Sequence, residues 1–214
     1  MAELVFFTGP MGAGKSTLAL QMNFTHIEGG RQGVIYSKLS RDGAKLLTSR
    51  IGLKAEARDV NDETKIWDDV SALIGEGKQI DYLICDESQF YTVPQIEHLA
   101  RIVDMLDINV YAFGITTDFK THLFPGSSRL IELADRVETI QVITLCWCGK
   151  RGTHNARVVD NEMVVEGEQV VIGDTANEDN VRYEVLCRKH HMQRNPDGKS
   201  KAKLKVANRK GIEY

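Results

Sequence analysis

The stretch Leu4-Val5-Phe6-Phe7-Thr8-Gly9-Pro10-Met11-Gly12-Ala13-Gly14-Lys15-Ser16-Thr17 decides how the rest of the chain is read. A short apolar run ends in a glycine-rich segment, and a helix-compatible stretch begins at the lysine. Gly9 to Ser16 fits G-x-x-x-x-G-K-[ST] in the strand–loop–helix setting that gives this pattern its meaning. Glycines let the backbone wrap phosphate groups, and the loop N–H groups with the helix N-terminus offer partial positive charge. Lys15 is expected to reach the β- and γ-phosphates of a nucleotide, and the Ser16 hydroxyl to ligate Mg²⁺. The plain alternative is a glycine-rich turn that matches by chance. The flanking strand and helix argue against it.

Working outward, short apolar strands alternate with amphipathic helical stretches. The expected strands are Leu4–Thr8, Val34–Ser37, Ile80–Cys85, Asn109–Phe113 and Val137–Leu145. A helix is expected over Lys15–Glu28, stopped by Gly29-Gly30. Within Glu63–Ile74, the residues Ile66, Val70, Leu73 and Ile74 fall on one helical face. A further helix runs from Val93 to Leu106, with Thr92 and Gln95 placed as a capping box and Pro94 in the first turn. Such alternation predicts an α/β fold of the P-loop, RecA-like kind, with a mostly parallel sheet flanked by helices. From Cys146 to Cys187 the chain turns glycine-punctuated and strand-like, which predicts a small β-rich subdomain. The expected division is therefore 1–145 for the nucleotide-binding domain, 146–191 for the β-rich metal-binding subdomain, and 192–214 for a tail.

That tail carries Arg194, Lys199, Lys201, Lys203, Lys205, Arg209 and Lys210 against only Asp197 and Glu213. Its composition reads as a solvated, disordered segment. The whole chain, at 214 residues and a formal net charge of −3, offers no broad basic surface for nucleic acid. No apolar run reaches the length of a membrane span, and no signal-peptide pattern opens the chain. A cytoplasmic protein is expected, in which the four cysteines serve as metal ligands or core filler rather than in disulfides.

The third expected strand runs into Asp86-Glu87. An apolar strand that delivers carboxylates to the C-terminal edge of a parallel sheet puts them where ligands bind in such folds. Asp86 suits the Mg²⁺-holding acid of a P-loop enzyme, and Glu87 is free to act as a base. The alternatives are a capping acid for Asp86 and an ordinary surface acid for Glu87.

Cys146-Trp147-Cys148 and Cys187-Arg188-Lys189-His190 form two ligand pairs at either end of the β-rich segment, a set that suits a tetrahedral structural Zn²⁺. His191 is an alternative fourth ligand, and unligated thiols are the plain alternative. Cys85, inside an apolar strand, reads as core filler.

Taken together, these motifs resemble the zinc-containing (type II) thymidine kinases, from about Leu4 to His190. The resemblance is carried by the run from Gly9 to Thr17, by Asp86-Glu87-Ser88-Gln89-Phe90, and by Thr117-Asp118-Phe119 with Phe124. The two ligand pairs, Glu166–Gly173 and Tyr183 complete it. It implies that Glu87 is the catalytic base, taking the proton of the thymidine 5′-hydroxyl as it attacks the γ-phosphorus of ATP. Gly9, Pro10, Met11, Gly12, Ala13, Gly14, Lys15, Ser16, Thr17, Asp86 and Gln89 form the implied ATP site, with Ser16 and Asp86 on magnesium. Met11, Phe90, Ile115, Phe119 and Phe124 match positions around the base pocket. Val170, Val171, Ile172, Gly173 and Tyr183 match a lasso that closes over the nucleoside, and the zinc on Cys146, Cys148, Cys187 and His190 is structural.

The resemblance further implies use of deoxyuridine, a role in deoxynucleotide salvage for DNA synthesis, a homotetramer, and feedback binding of thymidine triphosphate. In three respects this chain departs from the family pattern: the loop between Gly173 and Tyr183 is longer than in many relatives, the basic tail beyond His191 is an addition, and an acid expected near the sugar is displaced. The run Leu39-Ser40-Arg41-Asp42 has its acid after the arginine rather than before it. The competing reading is a RecA-like ATPase that grips nucleic acid through a zinc ribbon. The acidic segment of Asp160, Glu162, Glu166, Glu168, Asp174, Glu178 and Asp179 is a poor surface for a phosphate backbone.

Overall fold

In the computed structural model, which describes residues 1–38, 46–167, 169 and 181–197, the apolar run Leu4–Thr8 is strand β1 and Lys15–Glu28 is helix α1. Strand β2 spans Gly33–Ser37, a short hairpin pairs β3 (Leu46–Thr48) with β4 (Lys54–Glu56), and β5 covers Arg58–Asp59. Helix α2 (Ile66–Gly75) leads to β6 (Tyr82–Asp86), a 3₁₀ turn (Ser88–Phe90) and helix α3 (Val93–Leu106). Then come β7 (Asn109–Gly114), α4 (Pro125–Leu133) and β8 (Arg136–Thr139). These elements belong to one compact unit, made of Met1–Thr116 and Leu123–Val142.

Among the described residues, six strands form its sheet in the order β5-β2-β6-β7-β1-β8, and every pair in it runs parallel. Side chains alternate across the strands, as a period of two requires. Tyr36, Leu83, Cys85, Val110 and Ala112 face a cluster completed by Ile66 and Val70 of α2, Ile96, Leu99 and Ile102 of α3, and Leu130 of α4. Ile35, Tyr82, Ile84 and Phe113 face the other way, against Ala19 and Leu20 of α1. Both faces are thus covered by helices, which is why β6 is buried at all five positions and reads as an unbroken apolar run. The expected α/β architecture with a parallel sheet is the one observed.

Local chemistry sets several boundaries. α3 starts where expected because Thr92 and Gln95 do form a capping box: Thr92 N donates to Gln95 Oε1 at 3.0 Å, and Gln95 N to Thr92 Oγ1 at 3.4 Å. α2 begins at Ile66, later than the periodicity alone suggests. Asn61 N donates to Thr64 Oγ1 and Glu63 N to Asn61 Oδ1, both at 3.0 Å, and these side-chain bonds hold a turn in place of a helical one. β8 stops at Thr139 instead of reaching Leu145, since among the described residues β1 is its one neighbour in the sheet and Val142, Ile143 and Leu145 stand exposed. α4 has no counterpart in the sequence reading. Its Gly126, Ser127 and Ser128 are weak helix formers, and tertiary contacts such as the Ser127 hydroxyl donating to Ile115 O at 2.7 Å hold the segment instead.

The second unit comprises Thr117–His122 and the chain from Ile143 on. Its described residues form an antiparallel sheet in the order β10-β9-β11, from β9 (His154–Val159), β10 (Glu162–Val164) and β11 (Val181–Leu186), followed by a short helix α5 (Arg188–Met192). Its small core joins Ala156 and Leu186 to Cys146, Cys187, Trp147, Cys148 and Met163. No helix among the described residues is long and apolar enough to cross a membrane. The tail beyond Asp197 and the run from Leu39 to Asp42 lie outside the described residues.

Candidate functional site

The glycine-rich loop turns between β1 and α1 on two left-handed glycines, Gly12 (φ 75°) and Gly14 (φ 78°), a conformation that glycine adopts without steric cost. Gly14 is the N-cap of α1, so Lys15 and Ser16 occupy its first turn. Ala13, fully buried, pins the loop to the sheet. Lys15 is buried, and its Nζ donates to Gly9 O at 3.1 Å and Pro10 O at 3.0 Å. Burial lowers the Lys15 pKa from its ordinary value. Glu87 and Asp86 act to raise it, and the Arg50 guanidinium adds to the lowering.

Because all strands of the sheet run parallel, β1 and β6 end at the same edge even though β7 separates them. There the Ser16 hydroxyl donates to Asp86 Oδ2 at 2.9 Å. Asp86 is buried, and its Oδ1 has no hydrogen-bond partner. Burial, and next the charge of Glu87, push the Asp86 carboxyl up to about 7. A hydroxyl and a carboxylate with a spare buried oxygen form a hard donor set, which fits a divalent cation such as Mg²⁺.

Glu87 follows in the left-handed region (φ 51°, ψ 35°), a rare setting for a residue with a side chain. Backbone strain of this kind collects at functional sites. Around Glu87 the turn is tied down on every side. Gln89 Nε2 donates to Glu87 Oε2 at 2.5 Å, the Ser88 hydroxyl donates to Phe113 O at 2.8 Å, and Lys38 Nζ donates to Phe90 O at 2.7 Å. Lys38 is also ion-paired to Asp62. Phe90 meets Phe124 edge to face, with ring centroids 5.4 Å apart, and Ile115, Phe124 and the Phe90 turn lie in the first unit with the glycine-rich loop.

Sequence reasoning missed Lys38 and Arg50. Lys38 is 8% exposed and sits at the end of β2, one residue beyond the pairing of Ser37 with Asp86. A lysine directly after a buried strand was the available signal. Arg50 NH1 lies 3.8 Å from where a Cβ on Gly12 would stand, which places a guanidinium beside the loop. Nothing local in the sequence marks that approach.

In the second unit, Cys146 and Cys148 lie in the turn before β9, Cys187 is the N-cap of α5, and His190 stands one turn into that helix. Their ligand atoms all fall within 4.8 Å of one another. Cys146 Sγ is 3.3 Å and Cys187 Sγ 3.5 Å from His190 Nδ1, and the Cys148 and Cys187 sulfurs are 4.0 Å apart. A tetrahedral zinc with ordinary bond lengths would separate sulfur from nitrogen by about 3.6 Å and sulfur from sulfur by about 3.8 Å. The donor set and spacing fit that ion. The Trp147 ring stacks on His190 at 4.1 Å between centroids. His191 is engaged elsewhere: its Nε2 faces Phe119 O at 3.0 Å and Asn155 O at 3.2 Å.

Phe119 and Tyr183 also belong to this unit. Asp118 Oδ1 accepts from the N–H groups of Lys120 and His122, at 2.8 and 2.9 Å, and this turn presents the buried Phe119 to the Arg157 guanidinium, 6.0 Å from its ring centre. Tyr183 pairs across the sheet with Arg157. Val170, Val171, Ile172 and Gly173 lie outside the described residues.

Comparison with known proteins adds to this geometry. The family model described as Thymidine kinase matches residues 2–191. A thymidine kinase of Cutibacterium acnes is 56% identical over 193 residues, covering 90% of this chain and 89% of its own. One from Streptomyces coelicolor is 54% identical over 195 residues, covering 91% and 90%. A third, from Salmonella typhimurium, is 38% identical over 194 residues, covering 89% and 91%.

Proposed function

Because the chain belongs to the thymidine kinase family, we propose that it transfers the γ-phosphoryl group of ATP to the 5′-hydroxyl of thymidine, and of deoxyuridine, in deoxynucleotide salvage. What supports the reading is the meeting of Ser16, Asp86 and Glu87 at the same sheet edge as Lys15. Glu87 accepts the proton of the 5′-hydroxyl as the oxygen–phosphorus bond forms. The bond from the γ-phosphorus to the β,γ-bridging oxygen breaks, and the electron pair leaves with ADP. Lys15 and the loop N–H groups stabilise charge on the transferred group, the main catalytic need in this reaction class. Ser16 and Asp86 would hold a magnesium ion, which when bound supplies positive charge against the phosphate oxygens.

Phe90, Phe124, Ile115 and Met11, with Phe119, Tyr183 and Val170 to Gly173, are proposed to enclose the nucleoside, since aromatic and apolar walls suit a flat pyrimidine. Cys146, Cys148, Cys187 and His190 would hold a structural zinc that ties the two ends of the lasso. Gly9 to Thr17, Asp86 and Gln89 remain the proposed ATP-site residues. The proposal includes the division into a nucleotide-binding domain (1–145), a lasso subdomain (146–191) and a basic tail (192–214). It also takes from the family resemblance a cytoplasmic homotetramer inhibited by thymidine triphosphate.

The test is to incubate purified protein with MgATP and each common nucleoside and to separate the products. Thymidine monophosphate formed from thymidine, with deoxyuridine the other accepted nucleoside, is the expected result. ATP hydrolysis that ignores nucleosides and rises with added DNA or RNA would overturn the proposal in favour of a nucleic-acid-stimulated ATPase.

A further inference from the structure

Gln89 lies two residues beyond Glu87, and the left-handed backbone at Glu87 folds the chain so that the two side chains meet. The amide Nε2 donates to Glu87 Oε2 at 2.5 Å. The other end of the same amide, Oε1, accepts from the backbone N–H of Ile115 at 3.2 Å. A main-chain N–H can only donate, so the oxygen end of the amide must face Ile115 and the NH₂ end must face Glu87. The orientation is therefore dictated by the backbone of the chain just past β7. Gln89 is 2% exposed, so water does not compete for either end.

Space for this arrangement comes from Gly114, the last residue of β7. A Cβ there would stand 2.8 Å from Gln89 Oε1 and 3.1 Å from Gln89 N. Even an alanine would push the amide off its seat. Glu87 alone is a flexible side chain at a half-buried position, and an acceptor of a proton in flight must be held in register with the attacking hydroxyl.

We propose that Gln89 is a positioning residue for Glu87. It holds one carboxylate oxygen as acceptor so that the other meets the acceptor hydroxyl, and Gly114 and the Ile115 N–H form the seat that holds Gln89. The proposal rests on the reading of Glu87 as the base. It assigns the Gln89 side chain to the base, which leaves only the Gln89 main chain to the proposed ATP site.

The experiment measures kcat and KM for thymidine and ATP on the full chain carrying Gln89→Leu, Gln89→Glu, Gly114→Ala, Glu87→Gln, and Gln89→Leu combined with Glu87→Gln. Gln89→Leu and Gly114→Ala are expected to lower kcat about tenfold to a hundredfold, the cost of a misplaced reacting group. Both KM values should stay within about threefold, the signature of an interaction made in the transition state. Gln89→Glu, which keeps the size and the acceptor for Ile115, should lose at least as much kcat and covers the case in which Gln89→Leu fails to fold. Because Gln89 acts through Glu87, adding Gln89→Leu to Glu87→Gln should cost no more than about twofold further. A folded Gln89→Leu or Gln89→Glu with wild-type kcat, a full additive loss in the double variant, or a loss confined to KM for ATP would each overturn the proposal. Wild-type turnover by Glu87→Gln would instead remove the base reading beneath it.

Discussion

The Ser16 hydroxyl donates to the Asp86 carboxylate at 2.9 Å across two strands that are not neighbours, since β7 lies between β1 and β6. Parallel strands make this contact available, because both loops emerge at one edge. Ser16→Ala removes the donor and leaves a buried carboxylate with one partner fewer, a loss of about 1.5–3 kcal/mol for a hydrogen bond to a charged group. The expected outcome is a KM for MgATP raised by about tenfold or more, restored in part by excess Mg²⁺, with thymidine affinity unchanged. Initial rates at varied magnesium check it.

The distances from His190 Nδ1 to Cys146 Sγ and Cys187 Sγ predict one tightly held zinc per chain. Elemental analysis of the purified protein is expected to find it. Stripping the metal with a strong chelator should lower the melting temperature and loosen the β9–β11 unit, since the core there holds few apolar residues and a metal would carry much of its folding energy. Cys146→Ser should do the same. Protein that is metal-free, equally stable and fully active would refute the structural site.

Lys38 donates to Phe90 O from an 8% exposed position, whereas its partner Asp62 has a side chain 78% exposed. The asymmetry predicts unequal effects. Lys38→Met leaves the half-buried Phe90 carbonyl without its charged donor and should cost about 1–3 kcal/mol of stability, with a raised KM for thymidine through the loosened Phe90 ring. Asp62→Asn removes only a solvent-screened charge and should cost less than about 1 kcal/mol. Denaturant titration of both variants, with KM measured alongside, decides it. Equal losses would mean that the ion pair rather than the carbonyl contact matters.

Tyr36, Tyr82 and Tyr91 are buried, and in each burial is the leading cause of a pKa held above the ordinary 10.0. The Asp69 carboxylate, 2.6 Å from the Tyr36 hydroxyl, adds to the effect there. A phenol that keeps its proton in the folded state binds more protons than in the unfolded one above that value. Stability is therefore intact below about pH 10 and falls as pH rises beyond it, by about 1.4 kcal/mol per pH unit for each such group. Tyrosinate absorbance should rise in two stages, with the second stage coinciding with loss of helical circular dichroism. Tyr36→Phe should flatten the decline. A single smooth titration with the helical signal retained would contradict the burial of these hydroxyls.

Much of the fold was legible because it rests on local chemistry. The glycine-rich loop, the capping box at Thr92 and Gln95, and the apolar run of β6 each announce themselves within a few residues. α4 did not, since its first turn is built from Gly126, Ser127 and Ser128, and contacts such as that of Ser127 with Ile115 O stand in for propensity. The extent of β8 was overread. Val142 and Ile143 look like strand residues, yet apolar character alone does not extend the pairing of β8, and Leu145 bridges instead to Arg151.

The candidate site divides in the same way. Residue type and spacing by themselves singled out Lys15, Ser16, Asp86, Glu87, Cys146, Cys148, Cys187 and His190, because phosphate cradles and metal ligands demand particular atoms at particular intervals. Only the tertiary structure decided that Lys38 grips Phe90, that Arg50 stands beside Gly12, and that Gln89 spans from Glu87 to Ile115 over a glycine. Those contacts join residues whose spacing follows no local period. They depend on which strands end at the same edge of the sheet, and that order is set by packing on both of its faces.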